Sequence, residues 1–183
     1  IKAVSAIEEE LDRILKTRKQ SRIQTIADMV IRNYGHLDEK INFYQNLRSL
    51  EDYVSRHSLN VAILCAMITH VMNIRREEQY HTVCAALLHD MGKLKKHEDV
   101  YFGAPYSRED AIRNCETQEE AYSVIEDAFA TEGPAIRRIC QQAAGKQLDL
   151  FPEEGKESRY KMLEGSNVLL VANRYDEITA MTL

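Results

Sequence analysis

The rarity of chain breakers constrains this chain more than any other feature: its 183 residues include only 7 Gly and 3 Pro. Between them apolar residues recur at three- and four-residue spacing, the period of helices with one buried face. The expected fold class is all-α, a compact multi-helix bundle, and a sheet is not expected. Ile7, Leu11 and Ile14 mark one helix, and Ile23, Ile26, Ala27 and Val30 mark a second that Gly35 stops. A third, shorter helix is expected from Asp38 to Leu47. Tyr53 to Met72 is apolar on most faces and belongs at the centre of the bundle. Tyr80 to Met91 is similar and ends at Gly92. Ser107 with Asp110 has the pattern of a capping box, and Pro134 opens a helix that ends before Gly145. Residues 146–156 read as loop. The final helix starts near Ser166 and turns Val168, Leu169, Val171 and Ala172 inward.

A 44 % hydrophobic content fills one core, so a single ordinary domain is expected. No apolar run reaches the roughly 20 residues that a membrane span needs. Residues 1–48 form an N-terminal helical segment, either a connector or part of the bundle. Residues 49–183 form the main domain. As a connector, the N-terminal helices would suit a homodimer; as part of the bundle, they serve the protein's own core. The first residue is Ile rather than Met, and the chain is read as a piece of a longer polypeptide. Cys65, Cys84, Cys115 and Cys140 lie apart, without a C-x-x-C pair, which points to thiols in a reducing cytoplasm. A net charge of −5 argues against a surface for nucleic-acid polymers and leaves room for a small phosphorylated ligand.

Chemistry concentrates in Leu87-Leu88-His89-Asp90-Met91-Gly92-Lys93, where an imidazole and a carboxylate end an apolar helix. A buried carboxylate needs a cation or a metal to offset its lost hydration. Read from the residues alone, Asp90 and Lys93 are equally well an ion pair at i,i+3, with His89 a hydrogen-bonded core histidine. His57 stands near the start of another apolar helix, so two helices can aim ligands at one point. Mixed nitrogen and oxygen donors suit iron, manganese, zinc or nickel.

Three segments together resemble the HD superfamily of metal-dependent phosphohydrolases, and within it the HD-GYP branch of cyclic di-GMP phosphodiesterases of bacterial signalling. They are Asp52-Tyr53 with His57-Ser58 and Val61-Ala62, then Ala85 to Lys93, then Asn167 to Asp176. The resemblance implies a divalent transition metal held by His57, His89, Asp90 and the residue at 173. It implies that Lys93 meets the substrate phosphate; in metal-assisted hydrolysis at such a site Asp90 could also act catalytically, by orienting the attacking water. The substrate would be a nucleotide or a cyclic dinucleotide.

The chain departs from that pattern in ways that bear on activity. Asn173 stands where the family carries Asp, and an amide oxygen brings no formal charge, so weak or absent metal binding is expected. Asp176, three residues on, is expected to support or cap rather than to ligate. The further histidines of a two- or three-metal centre are missing: Glu116 to Ala121 holds none, and Gln142-Ala143 falls where a pair belongs. Of the Gly-Tyr-Pro triplet only Pro152 remains. The alternative to an enzyme is therefore an impaired HD-GYP-like signalling or interaction module. His97 reads as part of a polar loop, His81 as a helix-start residue, and His36 and His70 as structural.

Overall fold

The structure, a computed structural model, describes residues 2–19, 22–36, 47–49, 51–95, 107–150 and 161–182. These form seven α-helices: α1 (Lys2–Thr17), α2 (Ile23–Tyr34), α3 (Tyr53–Val71), α4 (Arg76–Leu88), α5 (Arg108–Phe129), α6 (Gly133–Lys146) and α7 (Glu164–Thr179). The all-α reading holds. A two-residue parallel pair, β1 (Leu47–Arg48) with β2 (Met181–Thr182), is the departure from it. It ties the chain before α3 to the chain after α7, and the N-terminal end of α3 thereby meets the C-terminal end of α7.

Helix α3 sits centrally, as its all-round apolar surface requires: Val61, Ala62, Cys65 and Ala66 have no exposed surface. It packs against α4 and α7, while α6 covers α4, and α5 lies against α6. Ile7, Leu11 and Ile14 of α1 and Ile23 and Ala27 of α2 are fully buried in the same core as Leu87 and Leu88. The apolar stripes of the N-terminal helices thus face the protein's own interior. Helix α3 ends in a Schellman motif: Asn73 takes the left-handed conformation (φ 53°), its N–H donates to His70 O, and Ile74 N–H donates to Thr69 O. Asparagine tolerates that conformation better than most residues.

Several helix ends differ from the expectation. Helix α4 starts at Arg76, because Glu77 and Glu78 occupy a polar first turn where carboxylates suit the helix dipole. It stops at Leu88, and Met91–Lys95 forms a separate 3₁₀ turn. Helix α6 continues through Gly145, whose open surroundings make the glycine a mild weakness rather than a stop, and residues 147–150 form a further 3₁₀ turn instead of loop. Val171 faces solvent at 59 % exposure, whereas Val168, Leu169 and Ala172 are buried. The Ser107 hydroxyl caps α5 by accepting from Asp110 N–H at 3.2 Å. The helix expected at 38–47 and His97 lie outside the described residues, apart from Leu47 in β1.

The α5–α6 junction is close. A Cβ on Gly133 would stand 2.7 Å from Glu126 Cα and 3.1 Å from Ile125 O. Both are backbone atoms and cannot rotate away. Gly133→Ala is expected to destabilise the fold by about 1–3 kcal/mol through overpacking. Urea denaturation measures it, and an unchanged midpoint would refute the steric account.

Candidate metal centre

Four elements converge on one buried point. His57 comes from the second turn of α3, His89 from the end of α4, Asp90 and Lys93 from the turn that follows, and Asn173 from α7. His57 has no exposed surface, and His89, Asp90, Lys93 and Asn173 are each 6 % exposed or less.

The hydrogen-bond partners determine which atoms face inward. His57 Nδ1–H donates to the Asp176 carboxylate at 2.6 Å, and Asp176 also accepts from Asn60 Nδ2 at 3.3 Å. His89 Nδ1–H donates to the Ala86 carbonyl at 2.6 Å, one of the carbonyls a helix end leaves open. An imidazole that carries only its Nδ1 proton presents a lone pair at Nε2, and both rings have the Nδ1 acceptor that this form needs. Asn173 Nδ2 donates to Glu177 at 3.1 Å, so its Oδ1 points the other way, 2.8 Å from His57 Nε2 and 2.9 Å from His89 Nε2. The two Nε2 atoms are 3.1 Å apart, and Asp90 oxygens lie 3.4 Å from one and 3.7 Å from the other.

With both rings protonated at Nδ1, the two Nε2 atoms, Asn173 Oδ1 and the Asp90 carboxylate turn lone pairs toward one another, an arrangement that a shared cation satisfies. A proton on one Nε2 answers one contact; a metal answers all four. Donors about 2.0–2.2 Å from a common ion stand roughly 3–3.5 Å from each other, close to the spacing seen here. The donor set fits a divalent transition metal.

Electrostatics hold this arrangement in its ligating form. Burial pushes the His89 pKa below the histidine value of 6.5; Asp90 opposes that shift and His57 adds to it. Burial alone would raise Asp90, but Lys93, whose Nζ is 3.0 Å from Asp90 Oδ2, together with His89 and His57, holds the carboxyl well below the usual range. Both groups bind fewer protons folded than unfolded, so stability falls on acidification. The His89 contribution is present above the unfolded value of 6.5 and is lost as pH drops toward its lowered folded pKa; the Asp90 contribution is lost below 3.8. The melting temperature of metal-free protein should decline from pH 7 to 5, and His89→Gln should flatten that decline. An unchanged slope in the variant would exclude His89 as its source.

Residues that the sequence did not single out complete the site. Gln118 of α5 bridges the motif: it accepts from Gly92 N–H at 3.1 Å and donates to Asp90 Oδ1 at 3.3 Å. A Cβ on Gly92 would stand 2.7 Å from that Gln118 oxygen, so the motif glycine permits the approach. The Tyr122 hydroxyl donates to the His89 carbonyl at 2.7 Å. Glu177, one turn after Asn173, is buried, and burial pushes its carboxyl pKa up. Beside these groups lies a cavity of about 20 Å³, room for roughly one water or ion. His81 is elsewhere, paired with Glu132, and His36 and His70 line a separate surface groove. None of the three reaches the cluster.

A family model for the HD domain matches residues 54–180, well over half of the chain. The chain belongs to the HD domain family. Its matched span begins at α3, ahead of His57, and runs past α7, so every residue of the cluster falls within the HD domain. Comparison with curated proteins and with solved structures gave no significant match. An HD domain with this His, His and Asp group is a phosphohydrolase-like, metal-binding type of site. Among the described residues no helix is long and apolar enough to cross a membrane.

Proposed function

We propose that this HD domain is a one-metal phosphohydrolase acting on a small phosphorylated substrate, with a cyclic dinucleotide such as cyclic di-GMP as the finer reading. The observation that carries it is the convergence of His57 Nε2, His89 Nε2, the Asp90 carboxylate and Asn173 Oδ1 on one point. The metal would be iron, manganese, zinc or nickel. When bound, it lowers the pKa of a water and polarises the phosphoryl oxygen. The protein's residues do the remaining work. Asp176 fixes the tautomer and orientation of His57. Asp90, whose two oxygens accept from Lys93 and Gln118, would hold the metal and orient the attacking water. Lys93 sets a positive charge beside the site, where phosphate charge develops.

The HD-GYP-like resemblance and the motif around Lys93 support the cyclic dinucleotide. Residues 49–183 make the HD unit, with 1–48 as its N-terminal helical segment. Three of the four free cysteines are buried, which suits a cytoplasmic setting. A second reading, a signalling module that no longer turns over, is favoured by the neutral Asn173 at the fourth corner.

The test is metal analysis of the purified chain after loading with Mn²⁺, Fe²⁺, Zn²⁺ or Ni²⁺, followed by hydrolysis of cyclic di-GMP, its linear dinucleotide and a generic phosphodiester. About one metal per chain with turnover is expected. Metal without turnover on any of the three selects the signalling module, and no metal at all overturns the site reading.

A further inference from the structure

Glu177 is a buried acid with no part in the four-donor cluster. Its side chain is 4 % exposed and sits one helical turn beyond Asn173 on α7. Oε1 accepts from Asn173 Nδ2 at 3.1 Å. Among the described residues Oε2 is buried without a hydrogen-bond partner; Arg174 Nη1 stands 3.7 Å away, and Lys93 exerts the larger pull toward the charged form. Such a carboxylate is costly to bury, so its presence beside the cavity of His89, Asp90 and Lys93 asks for a reason.

The amide of Asn173 supplies one. An amide has a donor end and an acceptor end: two bare Nε2 lone pairs would take the donor end, whereas a metal shared with those lone pairs takes only the acceptor end. The carboxylate of Glu177 accepts and cannot donate, so it selects the orientation with Nδ2 outward and Oδ1 inward. Aspartate at 173 would strain this arrangement: its outer oxygen would meet the Glu177 oxygen at about the same 3.1 Å, so the two carboxyls would either repel as anions or give up one charge by sharing a proton. Asparagine at 173 and glutamate at 177 therefore belong together.

We propose that Glu177 is a positioning residue that locks Asn173 with its oxygen toward the metal, and that it carries, one turn away, the negative charge an Asp at 173 would bring. The inference rests on the metal reading of the site. In consequence, restoring Asp at 173 does not by itself improve the centre.

A double-mutant cycle on the whole chain tests this: Asn173→Asp, Glu177→Gln and the two together, read by Mn²⁺ titration and by the melting temperature of metal-free protein. Glu177→Gln should weaken Mn²⁺ roughly 10-fold, the usual cost of losing a partner behind a ligand. Asn173→Asp alone should gain less than about threefold, and the double variant should bind at least as well as the wild type, because the coupling between contacting residues is not additive. In metal-free protein, Asn173→Asp should lower the melting temperature by about 5 °C, and adding Glu177→Gln should recover most of it. The proposal is overturned if Asn173→Asp tightens Mn²⁺ about tenfold or more with Glu177 in place, or if the metal-free melting shifts simply add. Should no variant bind Mn²⁺, the metal reading fails alone, and the metal-free cycle still decides the pairing.

Discussion

His89→Ala is expected to lose more metal affinity than the roughly 10- to 100-fold that follows removal of a supporting partner, because it deletes a donor outright. His89 Nε2 is the atom that touches both other uncharged donors, 3.1 Å from His57 Nε2 and 2.9 Å from Asn173 Oδ1. Without it three acceptors remain, one of them a neutral amide. The clearest readout is thermal. Metal at 100 times its dissociation constant stabilises the wild type by about 2.7 kcal/mol, roughly 5–10 °C for a chain of this size. His89→Ala should show almost none of that increment. His81→Ala is the matched control: it lies on the same helix α4 but pairs with Glu132, away from the cluster. It should keep the full metal-dependent shift. Equal shifts in the two variants would place the metal elsewhere.

Much of the fold could be read from the sequence because helix periodicity is a local property. The stripes of Ile7, Leu11 and Ile14 and of Ile23, Ile26 and Ala27 occupy the core as their spacing predicts. The all-round apolar α3 is central for the same reason. Helix ends were less legible. Among the described residues nothing packs against Gly145, so a glycine that reads as a stop is simply carried in an exposed turn. The β1–β2 pair has two residues on each side, too few for any alternation to register.

At the site, the two histidines and Asp90 stand out because polar groups interrupt apolar helices at a recognisable motif. The groups behind them do not. Gln118 and Tyr122 act on Asp90 and His89 from α5, about thirty positions away, and nothing in a helix of mixed polar residues marks those two. Glu177 was equally silent, although its spacing of four from Asn173 is the one local signal that could have drawn it in. Asp176, read as a supporting or capping residue, lies behind His57 as a hydrogen-bond acceptor.

Lys93→Met should separate stability from metal binding. Lys93 and Asp90 form an ion pair with side chains only 5 % and 8 % exposed, and methionine keeps much of the lysine volume without its charge. Removing one partner of a buried pair leaves the other charge uncompensated, which costs about 3–5 kcal/mol. Metal-free Lys93→Met should therefore melt far below the wild type. A divalent ion at the cluster supplies the charge that Asp90 has lost, so the stabilisation by metal should be larger in the variant, and its metal affinity higher. Hydrolysis should still fall, because the positive charge that meets the phosphate is gone. Asp90→Asn combined with Lys93→Met removes both charges; it should restore metal-free stability and lose the metal. Near-normal stability of Lys93→Met without metal would mean that the site hydrates Asp90 well enough to need no counter-ion, and the cation requirement argued from the four converging acceptors would fall with it.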